Sequence, residues 1–276
     1  MINKIKNLIS KILEKIFFKF FKNSYYLVKN FKSHFYNVDE DLKYNEDLLI
    51  SLGFDIDEIK SELKSLNFDY KDAKLSWHYH LLIGLKKYFK YQNIQILEIG
   101  TYDGKFTNFA SRVFGKSNII TIDLDDNDEK FVNSYQRNDK KLMLNHLEKR
   151  KKNIDRQNID FIKLNSIYIK KFFSEKKFDL IWVDGDHLNP QVTIDIINSL
   201  DLLSSNGVLC VDDIVKDTNF KKNNYVSNES YFTLNQLESS KIVKNYFFIK
   251  RIRKENSYKK KYCSLSVFYQ NKNLKK

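Results

Sequence analysis

The sequence predicts an α/β fold with a doubly wound, mostly parallel sheet, and two observations lead to this prediction. First, short apolar segments rich in β-branched residues alternate with helical patterns along the chain. Second, glycines and acidic residues follow these segments, at the position where open α/β sheets bind ligands. The segments span residues 94–99, 118–123, 158–164, 180–183 and 206–213. A chain of 276 residues can hold one such core with additions.

Residues 94–104, IQILEIGTYDG, form the stretch around which the chain is organised. They combine a buried parallel strand containing Glu98 with a turn containing Gly100 and Gly104, and a helix is expected over residues 105–114. The glycines allow a sharp turn and a close approach of the backbone to a ligand. Tight strand-to-helix turns that bind nothing also use glycines, so this pattern alone leaves both interpretations open.

The next strand ends in a carboxylate that favours a nucleoside ligand. Asp123 follows Gly104 by 19 residues, about where nucleoside-binding folds place the acid that takes the ribose hydroxyls. A dinucleotide fits poorly, because Thr101 and Tyr102 crowd the turn and Asp103 would repel a phosphate. The sequence therefore predicts a nucleoside-containing cofactor that is not a dinucleotide.

The spacing of Glu98, Gly100 and Gly104 resembles the first motif of the class I S-adenosylmethionine (SAM)-dependent methyltransferases. The resemblance covers roughly residues 76–270. It implies a Rossmann-like, seven-stranded sheet that ends in an antiparallel hairpin, here residues 241–251 and 261–269. It also implies SAM as the cofactor, with these binding residues: Glu98, Gly100, Thr101, Tyr102, Gly104, Asp123, Ser166 and Asp184.

Acidic residues also follow two later strands. Asp184 and His187 come after the fourth apolar segment, and Asp212 and Asp213 end the fifth. If these strands are neighbours, like charges so close would raise the pKa of one carboxyl unless a cation lay between them. Ligation by oxygen alone favours Mg²⁺. A simpler interpretation of Asp213 is a cap or hydrogen bond within the following loop.

This arrangement resembles the metal-dependent O-methyltransferases of the catechol and macrolide-sugar types. The resemblance assigns the metal ligands to Asp184, Asp212 and Asp213, and it places a general base at His187, three residues beyond the first ligand. We take His187 and Asp184 as the catalytic residues, since a histidine suits proton transfer near neutral pH. The alternative is a structural histidine bonded to Asp184 or Asp186.

The resemblance therefore predicts an O-methyltransferase that acts on a hydroxyl of a sugar, a glycan or a small metabolite, with Mg²⁺ and a histidine base. Two alternatives stay open. The basic chain ends would suit a nucleic-acid methyltransferase, although no Asn-Pro-Pro-aromatic motif and no recognisable RNA-binding module is present. A non-catalytic scaffold would keep the fold without turnover. Three acids and a histidine argue against it.

Charge is distributed unevenly along the chain. Residues 1–35 carry +7 and residues 241–276 carry +11 of a net charge of +13, which leaves −5 for the middle. Basic ends around a mildly acidic centre fit an anionic partner such as a membrane, a nucleic acid or an acidic glycan. They also fit a simpler role in solubility.

Residues 2–21 predict an amphipathic helix with lysines largely off its apolar stripe. Lysines interrupt every apolar run before the ~20 residues that a membrane span needs, and no cleavage site indicates a signal peptide. The helix is expected to pack on its own domain or on a second subunit, and the alternative is that it lies on a membrane surface. Two distant cysteines, Cys210 and Cys263, predict neither a disulfide nor a metal site, which indicates a cytoplasmic protein. If the helix does lie on a membrane, the expected surface is the inner face.

We predict a basic helical extension over residues 1–70 and a methyltransferase domain over residues 71–276. One or two short helices are expected over residues 46–68, broken at Gly53, and another from an N-cap at Ser76 to about residue 91. Histidines at positions 78 and 80 point to different faces of that helix, so we expect packing rather than metal ligation. Later helices are predicted over residues 140–152, after Pro190, and over residues 229–240.

Overall fold

The computed structural model of the chain describes residues 37–71, 76–90, 92–218, 225–252 and 260–271. The strands are β1 (Gln95–Ile99), β2 (Asn118–Asp123), β3 (Ile159–Lys163), β4 (Phe178–Val183), β5 (Leu203–Ile214), β6 (Val243–Ile249) and β7 (Tyr262–Phe268). The α-helices are α1 (Val38–Ser51), α2 (Ile56–Ser65), α3 (His78–Tyr88), α4 (Lys105–Val113), α5 (Glu129–Asn133), α6 (Lys140–Ile154), α7 (Ile169–Phe172), α8 (Gln191–Leu202) and α9 (Glu229–Ser239).

The seven strands form one sheet in the order β3-β2-β1-β4-β5-β7-β6. The first five strands along the chain pair in parallel, whereas β7 pairs antiparallel with both β5 and β6. The predicted doubly wound sheet with an antiparallel hairpin at its end is therefore confirmed. Because β4 lies between β1 and β5, the carboxyl ends of these three strands meet at one edge.

Apolar side chains on the two faces of the sheet pack against different helices. One core cluster joins alternate residues of the central strands, such as Ile96 and Trp182, to helices α1 to α4. The other joins the intervening residues, such as Leu97 and Val183, to α7, α8 and α9. Both faces are thus buried, which explains why the central strands are apolar at nearly every position.

The helices that precede the sheet belong to the same core. Leu49 of α1 and Leu63 of α2 are fully buried in the first cluster, and Tyr44 Oη donates to the backbone oxygen of Phe247 at 3.0 Å. Gly53 separates the two helices at a φ of +83°, as the sequence predicts. The predicted amphipathic helix of residues 2–21 lies outside the described residues. No helix within the described part of the chain has the length and apolar character needed to cross a membrane.

Three helix starts differ from the prediction. Helix α1 begins at Val38 instead of residue 46, because the Asn37 side chain caps it by accepting the N–H groups of Asp39 and Glu40. The starts of α3 and α8 each differ by a single position. Trp77 rather than Ser76 is the N-cap of α3, because the Ser76 hydroxyl bonds Nδ1 of His78 and the backbone oxygen of Lys250 instead. Pro190 is the N-cap of α8 rather than its first residue. Asn189, predicted as that cap, instead accepts a hydrogen bond from the Thr193 hydroxyl at 2.6 Å.

Candidate functional site

The turn after β1 has the backbone conformation that the two glycines allow. Gly100 lies at φ +99° and Gly104 at φ +74°, both in the left-handed region that favours glycine. The backbone N–H groups of Gly100 and Thr101 donate to the oxygen of Ile122 in β2, at 2.9 and 3.2 Å. The turn is therefore held against the end of the neighbouring strand before α4 begins.

Packing within the protein also requires these glycines. A Cβ at Gly100 would lie 2.3 Å from the backbone oxygen of Asp184, and one at Gly104 would lie 2.7 Å from the Ile154 side chain. The backbone that comes closest to Gly100 is thus the end of β4, and the Asp184 N–H donates to the Ile99 oxygen at 2.8 Å. A glycine at position 100 therefore lets the ends of β1 and β4 pack closely. This packing is a structural reason for the glycine, in addition to the approach of a ligand.

Glu98 lies beneath this turn rather than on its surface. Its residue exposure is 2%, and one carboxyl oxygen accepts from the hydroxyls of Thr107 and Thr121, both at 2.5 Å. Thr121 also bonds the Thr101 hydroxyl at 2.7 Å. Burial raises the pKa of Glu98 to about 8, so the carboxyl is largely protonated at neutral pH. Its side chain supports the turn, and direct contact with a cofactor stays a prediction.

Asp123 ends β2 beside the same turn. Its two oxygens accept the N–H groups of Tyr102 and Leu124, at 3.0 and 2.8 Å. A carboxylate oxygen can accept more than one hydrogen bond, so acceptor capacity remains for a ribose diol. Burial raises the pKa of this carboxyl. Tyr102 has a φ of +49° and is about half exposed, so its ring stands at the mouth of the turn.

Ser166 lies in the loop after β3, next to α8. Its hydroxyl accepts from the Gln191 amide at 2.8 Å, and the same amide donates to Asp195 at 2.7 Å. Asp195 is fully buried, and burial raises its pKa to about 6. The Oδ2 atom of Asp195 lies 3.6 Å from the position that a Cβ at Gly185 would take. Ser166 is thus connected to the loop that follows Asp184.

The acidic residues predicted at the ends of β4 and β5 come together. Val183 and Val211 are register partners, so Asp184 and Asp212 follow neighbouring positions of adjacent parallel strands. A shift of register between Val211 and Ile214, with Asp213 at φ +53°, interrupts the pairing of β5 with β7. Such a bulge redirects side chains that would otherwise alternate between faces.

His187 faces this acidic group. Its Nε2 atom lies 3.6 Å from Oδ1 of Asp184 and 3.9 Å from Oδ2 of Asp213. The His187 side chain is 8% exposed, whereas that of Asp184 is 33% exposed. Burial lowers the pKa of His187 and outweighs the attraction of Asp213 and Asp212. The imidazole is therefore neutral near pH 7 and can accept a proton.

Two lysines supply the positive charge between the carboxylates. The ammonium of Lys250 lies 2.7 Å from Oδ2 of Asp212 and 2.5 Å from Oδ1 of Asp213, and Lys261 lies 2.5 Å from Oδ2 of Asp213. Burial opposes the charge on Lys250, but attraction to Asp212, Asp213 and Asp184 raises its pKa overall. The carboxyl group of Asp212 has a lowered pKa, since Lys250 and His78 outweigh its burial. Asp184 shows the opposite shift, a raised pKa caused by burial and by the neighbouring carboxylates.

The donor set does not fit the predicted Mg²⁺ site. Among residues 37–71, 76–90, 92–218, 225–252 and 260–271, no group of three or more His, Cys, Asp or Glu side chains is arranged to hold a metal ion. The prediction identified the carboxylates that lie close together. The positive charges that offset them are the ammonium groups of Lys250 and Lys261. Asp212 is fully buried and paired with Lys250, so a metal could bind it only by displacing that ammonium.

Sequence reasoning missed three residues of this site besides the lysines. His78, interpreted as a packing residue, has Nδ1 3.5 Å from Oδ2 of Asp212. Tyr135 stacks on Tyr225 at 4.8 Å, and burial together with Asp184 and Asp213 raises the Tyr135 pKa to about 12. The sequence shows Tyr135 only as an aromatic residue in a polar segment, so it did not predict that Tyr135 lies beside the acidic residues.

Comparison with known proteins is consistent with this geometry. Residues 97–214 match a family model described as a methyltransferase domain. This span runs from β1 to the end of β5 and so contains the glycine turn, Asp123 and the acidic residues. The comparison with curated proteins finds no match.

Several solved structures are similar to this chain at low sequence identity. Cofactor-bound Rv0187 from MTB has a TM-score of 0.52 and 15% identity over 78% of this chain and 91% of that one. The O-methyltransferase TomG from Streptomyces achromogenes, in complex with SAM, has a TM-score of 0.48 and 16% identity over 83% and 98%. An O-methyltransferase from Bacillus cereus with SAH has a TM-score of 0.49 and 18% identity over 77% and 89%. The likeness to Rv0187 shows the fold alone.

Proposed function

We propose that this chain, whose residues 97–214 match a methyltransferase domain, is a class I, SAM-dependent enzyme that transfers a methyl group to a hydroxyl oxygen of a sugar, a glycan or a small metabolite. The observation that carries the proposal is the position of His187. Its Nε2 atom lies 3.6 Å from Asp184, whose backbone is in turn bonded to the end of β1 beside the glycine turn. A proton acceptor therefore stands next to the predicted cofactor site.

The residues at the end of β1 and β2 fit a bound nucleoside. Asp123 retains acceptor capacity for ribose hydroxyls, and the turn at Gly100 is preformed by its bonds to β2. Bound SAM would supply an already activated methyl group on a sulfonium, so the protein has mainly to orient an oxygen nucleophile and accept its proton. We assign this proton to Nε2 of His187.

Asp213 and Asp212 are the carboxylates whose negative charge stabilises the protonated imidazole of His187. The negative charge of a carboxylate near Nε2 favours the imidazolium that forms when the hydroxyl loses its proton. With SAM bound, the hydroxyl oxygen would take the methyl group, the sulfur would keep the electrons of the broken bond, and His187 would hold the hydroxyl proton. Magnesium is not part of this proposal, because Lys250 and Lys261 already pair with Asp212 and Asp213.

The aromatic side chains around the site favour an acceptor with rings or several hydroxyls. Tyr102 and Tyr135 lie edge to face at 5.4 Å, and Tyr135 stacks on Tyr225. Aromatic faces bind sugar and phenol rings by apolar contact, and their hydroxyls can bond acceptor oxygens.

Labelled SAM tests the proposal directly. The pure protein is incubated with methyl-labelled SAM and fractionated extract of its own host, with and without EDTA, and the labelled product is identified. We expect label in a hydroxyl-bearing small molecule or glycan, and SAH binding by titration calorimetry. Label in nucleic acid would favour the alternative enzyme, whereas SAH binding without transfer to any fraction would favour a scaffold. A His187→Ala variant that binds SAH and transfers label normally would remove His187 from the reaction.

A further inference from the structure

We propose that Lys250 is a built-in cation that takes the place of a divalent metal among Asp184, Asp212 and Asp213. The ammonium of Lys250 lies 2.7 Å from Asp212 and 2.5 Å from Asp213. A role of Lys250 in methyl transfer rests on the proposed function. The exclusion of a metal from these carboxylates by Lys250 is independent of that function.

Both backbone groups of Lys250 are hydrogen-bonded, which fixes the position of its Cα and therefore the point from which its side chain extends. Its N–H donates to the Lys261 oxygen at 2.8 Å, and its own oxygen accepts from Trp77 N–H at 2.8 Å and from the Ser76 hydroxyl at 3.3 Å. The hairpin of β6 and β7 and the start of α3 thus hold this residue from two directions. The Lys250 side chain is only 11% exposed.

The carboxylates have few oxygens left for a metal. Oδ1 of Asp212 accepts the N–H of Asp213 at 2.8 Å, and Oδ2 faces Lys250 and His78. Both oxygens of Asp213 are paired, one with Lys250 and the other with Lys261. A divalent ion would therefore have to displace a buried ammonium, which would leave that charge unpaired at a high cost in free energy.

Through Asp213, Lys250 acts as a positioning residue for the candidate base. Oδ2 of Asp213 lies 3.9 Å from Nε2 of His187, while its Oδ1 is held by Lys250. The bulge in β5 brings Asp213 to this position at a φ of +53°. Removing the ammonium would leave three carboxylates around one remaining lysine, Lys261, and so would create an attractive site for a hard divalent cation.

Manganese binding tests this inference without any need for turnover. Mn²⁺ is titrated into the full chain and followed by electron paramagnetic resonance, in which free ion gives the signal. We expect the wild type to bind no Mn²⁺ at micromolar concentrations. The Lys250→Met variant should bind about one equivalent of Mn²⁺, with an affinity at least about tenfold higher than that of the wild type. Lys260→Met is the matched control, because Lys260 pairs with Asp41 in a different place and its loss leaves the cluster unchanged.

Tight binding of one Mn²⁺ by the wild type, abolished by Asp213→Asn, would overturn the inference. A folded Lys250→Met protein that gains no Mn²⁺ binding would also overturn it. If Lys250→Met does not fold, Lys250→Arg is tested instead. This variant keeps the positive charge, so it should match the wild type in Mn²⁺ titrations. A gain of Mn²⁺ binding by Lys250→Arg would contradict the inference. SAH binding by the wild type is measured in parallel. A wild-type protein that does not bind SAH would refute the proposed function and leave the metal result intact.

Discussion

The side-chain amide of Asn45 pairs with both backbone groups of Ile249. Its Nδ2 donates to the Ile249 oxygen at 2.9 Å, and its Oδ1 accepts from the Ile249 N–H at 2.8 Å. Asn45 is fully buried on α1, while Ile249 is the last residue of the edge strand β6. One side chain therefore continues the hydrogen bonding of the sheet, beside the position from which Lys250 enters the site.

We expect Asn45→Ala to lower the free energy of unfolding by about 2–4 kcal/mol, because it leaves a buried donor and a buried acceptor without partners. Urea denaturation followed by circular dichroism measures this loss. Asn37→Ala is the matched control, since Asn37 caps the same helix from an exposed position and its loss should cost about 1 kcal/mol. Equal losses in the two variants would contradict the role given to Asn45.

A methyl group at Gly100 should damage both the fold and cofactor binding. The new Cβ would meet the Asp184 oxygen at 2.3 Å at a φ that L side chains rarely adopt, so Gly100→Ala should cost about 2–4 kcal/mol. SAH affinity, measured by calorimetry on the folded fraction, should fall with it. Gly115→Ala, whose Cβ has no neighbour closer than 4.0 Å, should leave both quantities nearly unchanged. Normal stability of Gly100→Ala would contradict the packing of β1 on β4.

Glu98 should make stability depend on pH. Its folded pKa of about 8 exceeds the ordinary 4.5, so the folded state holds a proton that the unfolded state releases. The stabilisation is complete below pH 4.5 and is lost as pH rises to about 8, by at most about 5 kcal/mol.

Glu98→Gln keeps a neutral group of the same shape, so its unfolding free energy should vary less over this pH range. Thermal denaturation between pH 5 and pH 8.5 compares the two, and the exposed Glu175→Gln should retain the wild-type slope. A Glu98→Gln protein with an unchanged slope would show that this carboxyl does not hold the proton.

The pH profile of methyl transfer should reflect the buried environment of His187. Burial lowers its pKa below the ordinary 6.5, and a general base works only when it is unprotonated. The acid limb of kcat/KM should therefore lie below pH 6.5, and His187→Ala should lose about 10²- to 10⁴-fold in kcat. Initial rates, measured with the acceptor that the labelling experiment identifies, give both quantities. An acid limb above pH 7 would contradict the lowered pKa.

The sequence predicted most of the sheet because each central strand is an apolar segment with a polar end. β2 was predicted to the residue, and the acids after β4 and near the end of β5 lie close together as predicted, because parallel strands end at one edge. Helix starts were less certain, since Ser76 had a competing partner 174 residues away. A local pattern cannot reveal a partner so distant.

The cation of the site was not predictable by the same reasoning. Lys250 lies in a lysine-rich stretch after an alternating strand, where a solvated side chain is the ordinary expectation. Only the antiparallel hairpin, the bulge at Asp213 and the start of α3 bring it inward. Charge composition alone therefore favoured Mg²⁺, whereas the fold provides a lysine.

Lys250 joins a hairpin near the end of the chain to residues Ser76 and Trp77, which precede the first strand. The electrostatic centre of the protein therefore combines residues that precede β1 with residues that follow β6. Because Lys250 and Lys261 belong to the hairpin of β6 and β7, the carboxylates at the ends of β4 and β5 have these cations beside them only when the hairpin is in place. The proposed chemistry at this edge of the sheet thus depends on a hairpin that contributes none of the acids.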